Sequence, residues 1–187
     1  MFYGPLLLIL PMFRCGRFLF PRDQALVMGI VNVTPDSFSD GGRHFSAERA
    51  VEHGLRLKEE GAHILDIGGE STRPGSVPVS LEQELARVLP VVEGLRDAGV
   101  AISVDTMKPE VMAAVLKAGA DMINDVRGFE TAGAFDVLSA SDCGLCIMHM
   151  RGLPQTMQID PSYTDVVEEV ASYLEQRLRA ARTAGIQ

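Results

Sequence analysis

Short apolar runs alternate with amphipathic stretches from residue 27 onward, and this alternation constrains the fold more than any other feature. Each unit has a run rich in Val, Ile and Met, a polar or glycine-bearing loop, and a stretch with helical periodicity. Nearly continuous apolar runs are typical of strands covered on both faces, as in a parallel sheet wrapped by helices. The pattern therefore predicts an α/β protein. The predicted strands are 27–33, 63–69, 101–106, 122–126 and 144–150.

Local signals mark where the intervening helices begin and end. Ser80 followed by Gln83 predicts a capping box, and Pro109 suits a first helical position. Asp160 followed by Pro161 predicts a further helix start. A glycine that can adopt a left-handed conformation follows three of the predicted helices. These glycines are Gly61, Gly99 and Gly119.

Two architectures satisfy this alternation, an open doubly wound sheet and a closed barrel. The first strand is not followed by G-x-G-x-x-G, where a dinucleotide-binding unit would place it. We therefore predict a parallel (β/α)8 barrel of the TIM type. A complete barrel has eight units in roughly 250 residues, whereas this sequence has five units in 187 residues. We expect an incomplete barrel with open sheet edges, which in isolation aggregates or folds only in part.

Charge and hydropathy exclude two classes of partner. The net charge is −8 and the pI about 5.0, so the chain lacks the broad basic surface that binds nucleic acid or anionic membranes. The most apolar stretch, residues 4–13, is too short to span a bilayer and contains Pro11. We interpret residues 1–13 as a hydrophobic leader of uncertain order. Residues 14–187 are then one barrel domain.

The cysteines predict neither a disulfide framework nor a zinc site. Cys15, Cys143 and Cys146 are odd in number, and two of them fall in an apolar run. The C-x-x-C spacing of Cys143 and Cys146 is not accompanied by a second ligand pair, so we interpret both as small strand residues. A reducing, cytoplasmic location follows from this cysteine usage.

Polar side chains end every predicted strand. In parallel sheets and barrels, ligands bind at the carboxyl ends of the strands. A single polar residue at a strand end is usually a loop cap. A polar residue at the end of all five strands favours a binding site. Carboxylates and carboxamides suit a flat heterocycle with an amino-pyrimidinone edge. The residues concerned are Asn32, Asp66, Asp105, Asn124 with Asp125, and His149.

Two loops after the first two strands combine hydroxyl, charged, Pro and Gly residues. They are residues 34–42 and 70–75. Such loops can expose backbone N–H groups and close over an anionic ligand. The same residues are also what solvated turns contain, and composition alone leaves both interpretations open.

Five motifs occur in the order found in the dihydropteroate synthase family, which this sequence resembles over roughly residues 13–187. The first two are long and chemically unusual, so chance agreement is very improbable. The resemblance implies a barrel enzyme of folate synthesis that joins dihydropterin pyrophosphate to 4-aminobenzoate. The motifs are 28–42 (MGIVNVTPDSFSDGG), 66–75 (DIGGESTRPG), 103–106 (SVDT), 123–125 (IND) and 148–152 (MHMRG).

Matching positions imply roles for the strand-end residues. Asn32 is expected to help hold Mg²⁺, which takes few protein oxygens and otherwise binds water and phosphate. The resemblance places four residues against the dihydropterin substrate. These are Thr72, Asp105, Asn124 and Met148.

The same resemblance brings residues of the two loops to the site. Phe38 and Pro74 are expected to form an apolar wall for the 4-aminobenzoate ring. Asp40 is expected to face the electron-poor methylene, and Arg73 to lie against the leaving pyrophosphate or to support its loop. Asp40 and Arg73 are the catalytic candidates.

The family's remaining site residues, an Asp, a Lys and an Arg-x-His, lie downstream of residue 187. We therefore expect a partial, inactive fragment, and a homodimer only at full length. One alternative is a pterin-binding methyltransferase domain that serves a corrinoid. The loops at 38–40 and 71–74 argue against it, because methyl transfer needs no pyrophosphate or arylamine pocket. The other alternative is a truncated product with a binding or structural role.

Overall fold

The computed structural model describes residues 12–33, 43–71, 77–154 and 156–186. It contains a two-stranded antiparallel hairpin and a five-stranded parallel sheet with helices between its strands. The elements in chain order are β1 (Met12–Cys15), β2 (Phe18–Pro21), β3 (Met28–Asn32), α1 (Arg43–Glu59), β4 (Ile64–Gly68), α2 (Leu81–Leu95), β5 (Ala101–Asp105), α3 (Pro109–Ala118), β6 (Met122–Asp125), α4 (Ala134–Leu138), β7 (Gly144–Ile147) and α5 (Val166–Thr183).

The order of the parallel sheet is β3-β4-β5-β6-β7, so each strand pairs with the next one along the chain. A doubly wound sheet reverses its direction at a switch point, whereas a barrel adds strands in one direction. The five predicted strand–helix units are therefore confirmed, and their order is that of a barrel. None of the helices in the described ranges is long and apolar enough to cross a membrane.

The helices cover one face of the parallel sheet, which contains the main core. Val31, Leu65 and Ile102 are fully buried there, together with Val88 and Leu95 of α2. The residues that alternate with them along each strand point to the opposite face of the sheet. We call this the inner face, because it would face the interior of a barrel. Ile30 on that face is 51% exposed. The inner face is therefore where side chains of the sheet remain open to a ligand.

The β1–β2 hairpin covers the amino-terminal end of the inner face. Its Cys15 is buried against Ile64, Ala101 and Met122. This hairpin was not predicted, because its strands are only four residues long and the first begins inside the segment 1–13 that was interpreted as a leader. Strand β1 includes residues 12 and 13 of that segment. Residues 1–11 lie outside the described part.

Most of the predicted helix boundaries are confirmed. The Ser80 hydroxyl accepts the Gln83 N–H at 3.2 Å, and the Gln83 side chain accepts the Ser80 N–H at 3.0 Å, which completes the capping box. Pro109 is the first residue of α3. The three glycines predicted to follow helices have positive φ angles. These are 108° at Gly61, 72° at Gly99 and 114° at Gly119.

The helix start predicted at Asp160 is wrong. Helix α5 begins at Val166, and its N-cap is Asp165, whose side chain accepts the Glu168 N–H at 3.0 Å. Asp160 has a φ of 52°, a left-handed conformation that does not lead into a right-handed helix. The cap nearest to the amphipathic run therefore starts the helix.

Candidate functional site

Asn32, Asp105 and Asn124 lie at one level of the sheet and on its inner face. The strand register pairs Asn32 with Gly68, Gly68 with Asp105, and Asp105 with Asn124. Residues paired in this way project to the same side. With strands about 4.8 Å apart, Asn32 and Asp105 are roughly 10 Å apart and Asp105 and Asn124 roughly 5 Å. We call this set, with Gly68, the mouth level. One flat heterocycle can contact the adjacent pair Asp105 and Asn124, and Asn32 lies farther along the same level.

Asp66 lies one level below the mouth, in the middle of β4. The register pairs it with Ile30 and Ser103, so its description as a strand-end residue is corrected. Its carboxylate is buried and accepts two hydrogen bonds, from the Ser103 hydroxyl at 2.6 Å and from the Asn124 side-chain nitrogen at 3.0 Å. Asp66 therefore links three adjacent strands beneath the mouth.

The pKa of Asp105 is raised from 3.8 to about 7. Burial is the main cause, because it disfavours the charged form. Within the described residues, its carboxylate receives no hydrogen bond that would offset this. The negative charges of neighbouring carboxylates raise the pKa further, in the order Asp66, Asp125, Glu84 and Glu70. Hydrogen-bond donors from a ligand would therefore favour the charged form of Asp105.

Asp125 does not face the mouth, although it adjoins Asn124 in sequence. Its two carboxylate oxygens accept the backbone N–H groups of Arg127 and Phe129, each at 2.8 Å. Phe129 is buried with a φ of 62°, an unusual conformation that these bonds stabilise. Burial raises the pKa of Asp125, which the two backbone N–H bonds oppose. Its role is to shape the loop after β6.

Lys108 joins two buried carboxylates beside the mouth. Its ammonium lies 2.5 Å from Glu84 Oε2 and also pairs with Glu70. The other Glu84 oxygen accepts the Thr106 hydroxyl at 2.6 Å. Glu70 directly precedes Ser71, which is the last described residue before the loop that follows β4. This network therefore fixes Glu70 at the carboxyl end of β4.

His149 is used in aromatic packing. Its ring centroid lies 5.0 Å from Tyr173 of α5 and 5.9 Å from Tyr163. The guanidinium of Arg151 lies over the Tyr163 ring at 4.4 Å. His149 therefore contributes to the packing of α5 against the end of β7, and its contact with a ligand stays a prediction. Met148, which precedes it, is 37% exposed and is available for an apolar contact.

Asn32 is suited to a magnesium ion that relies mainly on water and phosphate oxygens. In the described ranges, no group of three or more His, Cys, Asp or Glu is arranged to hold a metal. Mg²⁺ does not require such a group, since it is often bound by one or two protein oxygens. The Asn32 side chain is exposed at the end of β3, and a Cβ on Gly68 would be 3.6 Å from its Oδ1. Magnesium binding stays a prediction.

Five of the predicted site residues lie outside the described part of the chain, and their roles stay predictions. The described neighbours Val33 and Ser71 adjoin these segments, at the carboxyl ends of two paired strands. The undescribed site residues are Phe38, Asp40, Thr72, Arg73 and Pro74.

Two contacts that support the site were not predicted from the sequence, the Lys108–Glu84 ion pair and the Asp66–Asn124 hydrogen bond. Lys108 and Glu84 lie on separate units, and nothing in their local pattern distinguishes them from surface charges. The contact between Asp66 and Asn124 spans 58 positions. The sequence does indicate that Asp66 has a partner, because a carboxylate inside an apolar strand is buried and needs a hydrogen-bond donor there.

All three cysteines are free thiols. Cys15 is buried beneath the sheet, and Cys146 belongs to β7, at the register position next to Asn124. Burial raises the pKa of the Cys15 thiol to about 12, with smaller contributions from Asp121 and Cys143. This thiol therefore stays protonated near neutral pH.

Comparison with known proteins identifies related sequences. The sequence profile of a family described as pterin binding enzyme matches residues 28–187. Dihydropteroate synthase of Neisseria meningitidis serogroup B is 51% identical over 176 residues, which cover 92% of this chain and 62% of that protein. Dihydropteroate synthase of Escherichia coli K12 is 50% identical over 161 residues, or 86% of this chain and 57% of that protein. The chain thus spans about 60% of the length of these relatives.

Solved structures agree with these sequence matches. Dihydropteroate synthase of Xanthomonas albilineans with 4-aminobenzoic acid has a TM-score of 0.86 and 52% identity, over 95% of this chain and 63% of that one. The Burkholderia cenocepacia enzyme complexed with 7,8-dihydropteroate has a TM-score of 0.81 and 49% identity. The match covers 95% of this chain and 60% of that one. The five-stranded sheet therefore corresponds to part of a TIM-type barrel.

Proposed function

Because this chain belongs to the pterin binding enzyme family, we propose that it forms the first five strand–helix units of a dihydropteroate synthase. The proposed reaction joins 6-hydroxymethyl-7,8-dihydropterin pyrophosphate to 4-aminobenzoate and gives 7,8-dihydropteroate and pyrophosphate. The observation that supports it best is the mouth level, where Asp105 and Asn124 are register partners on the inner face. Two solved relatives are described with 4-aminobenzoic acid and with 7,8-dihydropteroate.

The pterin ring is placed against Asp105 and Asn124. Its amino-pyrimidinone edge carries N–H groups, which a carboxylate accepts, and a carboxamide can both accept and donate. These donors would replace the water that burial removes from Asp105 and would hold its charge. Met148, partly exposed just after β7, offers an apolar surface to the ring. Thr72 is the further pterin contact that the resemblance implies.

The chemical step separates leaving-group departure from amine attack. The bond between the pterin methylene and the pyrophosphate oxygen breaks first, and its electron pair leaves with the pyrophosphate. The amine of 4-aminobenzoate then forms the new C–N bond and releases a proton. Arg73 would pair with the pyrophosphate, and Asp40 would stabilise the cationic methylene. Phe38 and Pro74 would hold the aromatic ring and exclude water.

Asn32 would contribute one oxygen to a magnesium ion beside the pyrophosphate. Bound Mg²⁺ would neutralise negative charge on the leaving group. The donor set supports this assignment because a carboxamide oxygen at the strand end is a hard ligand that leaves other coordination positions to water and phosphate. Homodimerisation of the full-length protein and a cytoplasmic location complete the proposal.

Turnover tests the proposed function directly. We expect no dihydropteroate from the 187-residue chain, because the family's remaining anion-binding residues lie downstream. A protein extended by three strand–helix units should be active, and Asp105→Ala in that protein should lose at least tenfold in kcat/KM. An extended protein without synthase activity would contradict the proposal. Equal rates from the two lengths would contradict the expected role of the downstream residues.

A further inference from the structure

We propose that Asp66 is a positioning residue that fixes the orientation of the Asn124 carboxamide, so that the Asn124 carbonyl oxygen is presented to N–H groups of a heterocyclic ligand. This inference rests on the proposed function for the identity of the ligand. It assigns a role to a side chain below the mouth, which has no direct contact with the ligand in the proposed reaction. The supporting observations are burial, two hydrogen bonds and the strand register.

The two hydrogen bonds of Asp66 occupy both of its oxygens. Oδ1 accepts the Ser103 hydroxyl at 2.6 Å, and Oδ2 accepts the Asn124 Nδ2 at 3.0 Å. The residue is only 5% exposed, so water has little access to replace either bond. Losing one partner of a buried carboxylate is costly. Asp66 is therefore held in place by β5 and acts as a fixed acceptor below β6.

A fixed acceptor selects one of the two orientations of Asn124. The carboxamide has a donor end, Nδ2, and an acceptor end, Oδ1, and an ionised carboxylate can only accept. Turning Asn124 by 180° would bring its oxygen against the Asp66 carboxylate, which is repulsive. With Nδ2 held by Asp66, Oδ1 is the atom left for a ligand.

The consequence is a mouth with two acceptors side by side. Asn124 Oδ1 and the Asp105 carboxylate belong to register partners, roughly 5 Å apart. They match a ring edge with two neighbouring N–H donors, such as the 2-amino-4-oxo edge of a pterin. A pteridine-2,4-dione has a carbonyl in place of the amino group and would set oxygen against oxygen. Sites of this kind reject an analogue that leaves buried polar groups unpaired.

Electrostatics at the mouth agree with this arrangement. Asp66 is, after burial, the first of the neighbours that raise the pKa of Asp105. The other carboxylates whose charge raises the pKa of Asp105 are Asp125, on the opposite face of the sheet, and Glu84 and Glu70, which are both paired with Lys108. A ligand with N–H donors relieves the crowding of negative charge. A ligand with carbonyl groups increases it.

The first measurement needs neither a ligand nor a variant. Hydrogen exchange of side-chain amides, followed by NMR in the wild-type chain, compares Asn124 with the exposed Asn32 at the same level. We expect exchange at Asn124 to be at least tenfold slower. Equal exchange would overturn the inference, whatever the ligand of the site proves to be.

The second measurement compares a pterin with a pteridine-2,4-dione, using 6-hydroxymethylpterin and its 2,4-dioxo analogue in fluorescence titrations. We expect the wild-type chain to prefer the pterin and Asp66→Asn, whose amide can donate or accept, to lose at least tenfold of that preference. Ser103→Ala removes one hydrogen bond of Asp66 but retains its carboxylate and its contact with Asn124, and it should lose less of the preference than Asp66→Asn. Equal weakening of both ligands by Asp66→Asn would indicate a merely structural role and would overturn the inference.

The two measurements separate this inference from the proposed function. If the wild-type chain binds neither pteridine, the proposed function fails in this chain, and the exchange experiment alone decides the role of Asp66. If Asp66→Asn does not fold, Ser103→Ala and the wild-type exchange rates still decide it. A loss of the pterin preference in Ser103→Ala as large as in Asp66→Asn would contradict the inference, since the serine variant leaves the Asn124 contact in place.

Discussion

The Lys108 ammonium lies 2.5 Å from Oε2 of Glu84, a carboxylate that is 1% exposed. It pairs at the same time with Glu70. Burial alone lowers the pKa of Lys108, but its hydrogen bonds to the two carboxylates outweigh burial and raise the pKa above its usual value. The lysine is therefore positively charged at neutral pH, and it connects α2 and the end of β4 to the loop after β5.

Replacement of Lys108 should destabilise the fold. Lys108→Ala leaves two buried carboxylates without a cation, and we expect a loss of about 3 kcal/mol in the free energy of unfolding. Lys117 is exposed near the end of α3, and Lys117→Ala should change it by less than about 0.5 kcal/mol. Urea unfolding followed by circular dichroism measures both. Equal midpoints for the two variants would show that the network contributes nothing.

Removal of Arg17 should reduce stability and leave the mouth intact. Arg17 Nε and Nη2 each donate to the buried Asp121 carboxylate at 2.9 Å, at the end of the sheet covered by the hairpin. Because Arg17 is half exposed, solvent screening limits the effect of Arg17→Ala to about 2 kcal/mol. Arg22, exposed on the same segment, provides the control Arg22→Ala. Pterin affinity should be the same in all three proteins, and a selective loss in Arg17→Ala would disagree with this separation.

Asp105 should make the fold less stable as pH rises. Its pKa in the folded chain, about 7, lies above the ordinary 3.8, so between these values the folded state binds more protons than the unfolded state. Under that condition stability falls with increasing pH. Asp105→Asn removes the effect and should gain stability relative to wild type as pH rises from about 4 to about 7. A difference in unfolding free energy that stays constant over this range would contradict the assignment.

Magnesium should strengthen the binding of inorganic pyrophosphate through Asn32. We expect Mg²⁺ to increase affinity about tenfold in the protein extended by three strand–helix units, equivalent to about 1.4 kcal/mol. Asn32→Ala should lose this gain, whereas Asn32→Asp, which keeps an oxygen ligand, should retain it. Isothermal titration calorimetry with and without the metal measures the difference. A gain that is the same in Asn32→Ala would place the ion elsewhere.

The strand–helix units and the mouth residues were predictable because their signals are local. Apolar runs, glycine stops and the Ser80 capping box are each contained within a few positions. Asn32, Asp105 and Asn124 all end strands, and parallel strands bring their carboxyl ends together. The helix start at Asp160 was mispredicted because two nearby Asp residues carry the same capping signal.

The supporting contacts were not predictable, because they join distant parts of the chain. Asp66 and Asn124 are 58 positions apart, and Lys108 and Glu70 are 38 apart. The contact that joins the hairpin to the sheet is equally distant in sequence, since Arg17 and Asp121 are 104 positions apart. Only the register of the folded sheet reveals which polar residues share a level.

The central claim is that a pterin binds at the mouth level. NMR spectra of the isotope-labelled protein extended by three strand–helix units, titrated with 6-hydroxymethyl-7,8-dihydropterin pyrophosphate, test it most directly. We predict the largest chemical-shift changes at Asp105, Asn124 and Met148, and small changes around Arg17 at the opposite end of the sheet. Changes centred on the hairpin, or no changes at saturating ligand, would contradict the account.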